Sequence, residues 1–137
     1  MIGFIIVGHG KFATGLYSAC KLFDKTYSNV KAVDFLDGDT LYELDNKIKV
    51  ALNDLEVYED IIVFCDLFAG SPFKMALMNS IYDYNRFTVL SGVNLPIVLE
   101  GIMIGQNSIC DPIKLIKTLK NEFPSTLVHT VDEKKVK

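Results

Sequence analysis

Four short stretches of this chain are apolar along nearly their whole length: Ile2–Val7, Val30–Leu36, Asp60–Cys65 and Phe87–Leu90. A strand with one face in water alternates polar and apolar residues. Runs like these need cover on both faces, which is the condition of a parallel strand inside an α/β layer structure. Helical patterns separate the runs. The first starts near Lys11 and places Phe12, Leu16, Ala19 and Phe23 on one face. The second opens with Thr40 and Glu43 at capping-box spacing and carries Leu41, Leu44, Ile48, Ala51 and Leu55. The third opens at Ser71-Pro72, read as an N-cap followed by proline at the first helical position, with Met75, Ala76 and Met78 to Ile81 as its apolar face. A short helix follows Asn94, with Pro96 in its first turn. A last helix opens at Asp111-Pro112 and carries Ile113, Ile116 and Leu119. The order predicts an α/β fold: an open three-layer α/β/α sandwich with a mainly parallel central sheet and right-handed crossovers. The segment Thr126–Val131 (TLVHTV) reads as a small edge strand with no hairpin partner in sequence, which leaves another subunit as a candidate partner.

The chain has 137 residues, half of them hydrophobic, and a mean hydropathy of +0.26. That suffices for one packed domain, predicted over residues 1–131, with the charged tail 132–137 expected to fray. The net charge of −3, with no basic patch before the tail, argues against a nucleic-acid partner. The three cysteines form no CxxC pair. Cys20, Cys65 and Cys110 each sit in an apolar context and read as small buried hydrophobes in a reducing compartment. The N-terminal apolar run is too short to span a bilayer and lacks the charge pattern of a signal peptide, so a cytoplasmic protein is expected. No metal site and no cofactor are expected.

The first strand runs directly into Gly8-His9-Gly10. In open α/β sheets, ligands bind at the carboxyl ends of the strands. His9, one of two histidines in the chain, is therefore placed where chemistry happens, and its flanking glycines leave the ring uncrowded. After the third strand comes Asp66-Leu67-Phe68-Ala69-Gly70-Ser71-Pro72-Phe73. If the first and third strands are neighbours, Asp66 lies beside His9. A carboxylate there holds one ring nitrogen as N–H, frees the other as a nucleophile and favours the charged imidazole. The helix opening at Ser71 adds free backbone N–H groups and the positive end of its dipole, an anion site to which the Ser71 hydroxyl can contribute. Gly10 and Gly70 are the further candidates for phosphate contact. A nucleophilic histidine, an orienting aspartate and a helix N-terminus together point to phosphoryl transfer on histidine. No P-loop or GxGxxG motif is present, so the donor is expected to be another protein or a phosphorylated small molecule rather than ATP.

Each residue also has a purely structural reading. Asp66 would close a turn, Ser71 would cap a helix, and Gly92-Val93-Asn94-Leu95-Pro96 would be a strand-to-helix turn. His129 reads as an exposed or edge residue, Met75, Met78 and Met103 as core filler, and Arg86 as surface. Lys11, Phe12, Phe68 and Phe73 surround the site. They are candidates for a docking rim, with packing the plainer role for the phenylalanines.

Three blocks, IIVGHGKFATGL at 5–16, FCDLFAGSPF at 64–73 and SGVNLPIVLE at 91–100, occur in an order and spacing that resemble the IIA domain of the mannose-type sugar phosphotransferase system. The resemblance spans roughly residues 1–125. It implies a phosphotransferase that carries a phosphoryl group on His9, with Asp66 as its partner and Ser71 as the family's serine. It also implies a histidine-containing phosphocarrier protein as donor, a IIB component as acceptor, membrane IIC and IID components downstream, and a homodimer that exchanges a C-terminal strand. Leu67-Phe68 stands where the family often has a tryptophan, and Ala69 where glycine is common. Three other readings compete, one of them a non-catalytic regulator that only senses phosphorylation state. A tetrapyrrole metal chelatase can also carry a strand-end Gly-His-Gly, but the only other histidine here, His129, lies in the tail. A phosphoryl-carrier subunit of dihydroxyacetone kinase would usually lack the GSPF and GVN-P blocks.

Overall fold

In a computed structural model, which describes residues 1–23, 27–81, 87–107 and 109–130, the chain forms a parallel sheet flanked by helices. The elements are β1 (Gly3–His9), α1 (Phe12–Cys20), β2 (Val30–Phe35), α2 (Leu41–Asp54), β3 (Ile61–Cys65), α3 (Ser71–Ile81), β4 (Phe87–Ser91), α4 (Leu95–Gly105) and α5 (Pro112–Thr126). All pairings are parallel and the strand order is β2-β1-β3-β4. This is the predicted sandwich.

Strand alternation divides the core. Phe4 and Ile6 of β1 and Ile62 and Phe64 of β3 face one side, where they pack with α1, α4 and α5. Ile5, Val7, Val33, Ile61, Val63 and Cys65 face the other, under α2 and α3. On the first side Phe4 and Phe64 stack with ring centroids 5.6 Å apart. Helix α4 lies directly on this pair because it presents glycines there. A Cβ on Gly101 would come within 2.9 Å of Phe64, and one on Gly105 within 2.3 Å of Phe4.

The caps follow the sequence reading in three helices. Thr40 accepts from the Glu43 N–H at 3.1 Å, Asn94 from Ile97 at 3.0 Å and Asp111 from Ile113 at 3.0 Å. Helix α4, at 11 residues, is longer than the short helix expected. The apolar faces differ in several places. Helix α1 stops at Cys20, so Phe23 falls beyond it and is exposed; Ala13 and Cys20 are buried instead, with Phe12 and Leu16 half-buried. Met78, Met103, Ile81, Leu41 and Ile113 are exposed rather than core, and only Met75 of the three methionines packs against it. The reason is geometric: the sheet covers one stripe of each helix, and these helices carry more apolar residues than one stripe holds. Cys20 and Cys65 are buried as expected, but Cys110 is only half-buried, at the loop before α5.

Among the described residues, the chain beyond α5 does not join the sheet. Thr126 ends α5, and residues 127–130 follow without forming a strand. Arg86, Val131 and the tail 132–137 lie outside the described residues. Among the described residues no helix is long and apolar enough to cross a membrane.

Burial in β3, reinforced by the charge of Asp66, pushes the Cys65 thiol from its ordinary value of 9.0 up to about 12. The folded chain therefore keeps this proton after the unfolded chain has lost it. Stability should be full below pH 9.0 and fall as the pH rises toward 12. Each pH unit in that window costs about 1.4 kcal/mol. Urea unfolding of the wild type and Cys65→Val at pH 8 and 10.5 checks this: the wild type should lose more stability than the variant, and equal losses would refute it.

Candidate active site

The strand order creates the site. From β1 the chain crosses to β2 on one side, and from β2 it returns past β1 to β3 on the other. The helices that leave β1 and β3 consequently depart on opposite faces, and a crevice opens between the carboxyl ends of these two strands. Val7 pairs with Cys65 across them, so His9 and Asp66 lie next to one another at the crevice.

Asp66 reaches His9 twice with one oxygen. Oδ2 accepts the His9 backbone N–H at 2.8 Å and contacts His9 Nδ1 at 2.8 Å. Oδ1 accepts the Leu67 N–H at 2.8 Å. The carboxylate is thus anchored on both oxygens, and its side chain is only 12% exposed against 43% for His9. With Asp66 ionised, Nδ1 is the donor and carries the proton, leaving the Nε2 lone pair unprotonated. Nε2 makes no hydrogen bond among the described residues. Asp66 is therefore a ligand of the imidazole as well as the residue that closes its own turn.

The loop between Asp66 and α3 is shaped by the ring beside it. Ala69 adopts φ 62°, a left-handed conformation that costs an L-residue about 1 kcal/mol or more. Next to it, a Cβ on Gly70 would approach His9 Cε1 to 2.8 Å. Gly70 is therefore required by space, and it brings the start of α3 against the imidazole. Ser71 proves to be the first residue of the helix rather than its cap, because Lys74 N–H already closes onto the Gly70 carbonyl at 2.9 Å. Pro72 is accordingly the second helical residue. The Ser71 hydroxyl makes no hydrogen bond among the described residues, and the first-turn amides of a helix have no acceptor within it. Gly10, at φ 57°, turns the chain into α1, and its N–H is engaged by the Phe35 carbonyl at 2.8 Å.

The surrounding phenylalanines divide. Phe68 is 75% exposed and leans on the half-buried Phe73, with ring centroids 5.1 Å apart. Phe12 packs into the core, while Lys11 is exposed. Leu67 is exposed beside Phe68. The GVN-P block is a structural joint: Val93 N–H reaches the Cys65 carbonyl at 3.3 Å, and Asn94 Nδ2 donates to Thr126 Oγ1 at 3.1 Å while its oxygen caps α4. His129 is exposed and remote in sequence from the site. Phe35 was missed by sequence reasoning; its ring meets His9 edge-on at 6.1 Å. Nothing in its apolar strand marks it, because the contact depends on β2 lying beside β1.

The model of a family described as PTS system fructose IIA component matches residues 3–114. The chain belongs to the mannose-type IIA family of the phosphotransferase system. It is 32% identical over 107 residues to a PTS system fructose-specific EIIA component of Bacillus subtilis, covering 78% of this chain and 73% of that one. It is 28% identical over 102 residues to a PTS system mannose-specific EIIAB component of Escherichia coli; the match takes in 74% of this chain and 31% of the longer protein. A crystal structure of a phosphotransferase system component EIIA from Streptococcus agalactiae superposes with a TM-score of 0.80 at 26% identity, covering 94% of this chain and 97% of that one. As a IIA component, the chain is a phosphotransferase of sugar transport. These relatives are not chelatases.

The Gly70 contact gives this site a direct test. Gly70→Ala should cost about 1–3 kcal/mol and force the imidazole to shift. Thermal melting and the His9 side-chain resonances together check it; an unchanged imidazole spectrum would show that the loop, not the ring, absorbs the methyl group.

Proposed function

We propose that this IIA component carries a phosphoryl group on His9 Nε2. The observation behind the reading is the double hold of Asp66 on His9, which ties up Nδ1 and leaves Nε2 as the nucleophile. In the forward step, Nε2 attacks the phosphorus of a phosphohistidine on the histidine-containing phosphocarrier protein. The new N–P bond forms as the donor's N–P bond breaks, and the donor nitrogen keeps the electron pair. No proton has to leave His9: Nδ1–H stays against Asp66, whose charge offsets the positive charge that the ring acquires. A second transfer hands the group to a IIB component. The membrane IIC and IID components then couple it to sugar uptake. The chain acts in the cytoplasm.

The phosphoryl oxygens need donors, and the start of α3 supplies them. Gly70 lies against the ring, and in this reading its amide, the Ser71 hydroxyl and the first-turn amides that follow it would be those donors, at the positive end of the helix dipole. The Gly10 amide is bound to Phe35, so Gly10 serves this site through its turn and the room it leaves. Transfer of this kind rests on positioning and charge, which these few groups provide.

The protein works as a homodimer in this reading. Among the described residues sheet edge β4 has no neighbour beyond it, and a groove of about 390 Å³ there is lined by Leu90, Val93, Ile97 and Leu119 among others. Leu127 and Val128 leave α5 exposed. Segment 126–131 of one subunit adding to β4 of the other would cover both.

Incubation with phosphoenolpyruvate, the first enzyme of the system and the phosphocarrier protein should add one acid-labile phosphoryl group, read by intact mass. His9→Ala should fold and gain none; wild-type labelling of that variant would remove His9 from the reading. Asp66→Asn should fold and be labelled about a hundredfold more slowly, because the proton is no longer held on Nδ1. Sedimentation should show a dimer at micromolar concentration, and a monomer there would dispose of strand exchange.

A further inference from the structure

We propose that Asp34 is a positioning residue for His9, acting through the first turn of α1. The inference rests on His9 being the phosphoryl acceptor and adds a second anchor, from β2, to the one that Asp66 supplies from β3.

The turn that carries His9 leads within three residues into α1, yet that helix has no cap of its own. Lys11 occupies the N-cap position and makes no side-chain cap hydrogen bond. Asp34, paired with Gly8 across β1 and β2, takes over that role. Its Oδ1 accepts the Thr14 N–H at 3.0 Å and its Oδ2 accepts the Thr14 hydroxyl at 2.5 Å. A carboxylate at this end of a helix also meets the favourable end of the dipole. The adjacent residue completes the hold: the Phe35 carbonyl takes the Gly10 N–H and its ring rests against His9.

Asp34 is itself braced. Lys47 Nζ donates to its backbone carbonyl at 3.0 Å and to Asp39 Oδ2 at 2.7 Å, and Asp39 Oδ2 accepts the Leu36 N–H at 2.9 Å. The end of β2 is thereby fixed to α2 before it fixes α1. Asp34 makes no hydrogen bond to the imidazole. Its effect is on where the ring stands, and in-line transfer is sensitive to displacements of the order of 1 Å.

Asp34→Ala tests this. Its phosphorylation by the phosphocarrier protein should be about tenfold slower than wild type, and the imidazole ¹⁵N spectrum of His9 should lose the single Nδ1–H form. Thr14→Val, which removes only the hydroxyl bond, should slow the reaction about threefold, and Thr14→Ser should restore it. Should Asp34→Ala fail to fold, Thr14→Val and its rescue decide the matter. Lower melting temperatures with wild-type rates and wild-type imidazole spectra would make Asp34 a helix cap only and overturn the inference. A wild type that takes up no phosphoryl group would instead count against His9 as acceptor, and the imidazole spectra would still judge Asp34.

Discussion

The contact between Asp66 and His9 depends on two strands that are distant in sequence becoming neighbours. β1 and β3 meet because the chain reverses its direction of travel across the sheet after β2. That reversal sends α1 and α3 to opposite faces and leaves their starting turns facing each other. Other features of the site bear on the same juxtaposition: Gly70 makes room for the ring, Ala69 takes a left-handed turn just before it, and Phe35 of β2 meets the ring edge-on. A strand order of β1-β2-β3 would keep the same motifs and separate them by the width of a strand.

The acidic partner is nearly enclosed while the imidazole remains open. Asp66 spends one oxygen on its own loop and the other on His9, so it has little freedom to reorient when the ring gains charge. Such preorganisation means that the environment suited to a positive imidazole exists before any charge arrives. The backbone N–H of His9 shares the same oxygen, which couples the position of the main chain to the position of the ring.

Much of this was legible in the residues. Continuous apolar runs announced a covered parallel sheet, and Thr40, Asn94 and Asp111 marked the helix starts at which they act as caps. His9 and Asp66 stood out because strand ends followed by glycines are recognisable. What was not legible depended on tertiary neighbours. Phe35 and Asp34 lie within or at the end of an ordinary strand, and only the placement of β2 beside β1 gives them work to do. Ser71 reads as a cap because serine before proline usually is one; the helix instead closes its first hydrogen bond onto the Gly70 carbonyl, one residue earlier. Apolar residues such as Met78 and Ile113 were assigned to the core by type, whereas the sheet admits only one stripe of each helix.

One hydrogen bond has a consequence for observation. The His9 amide, although the last of β1, ends on a side-chain carboxylate instead of a neighbouring strand. Its exchange with deuterated solvent is therefore governed by local departures of Asp66 and not by opening of the sheet. Residues Phe4 to Val7 would stay protected through such a departure while His9 alone exchanged, so this single amide records the history of the crevice in a molecule that otherwise remains folded.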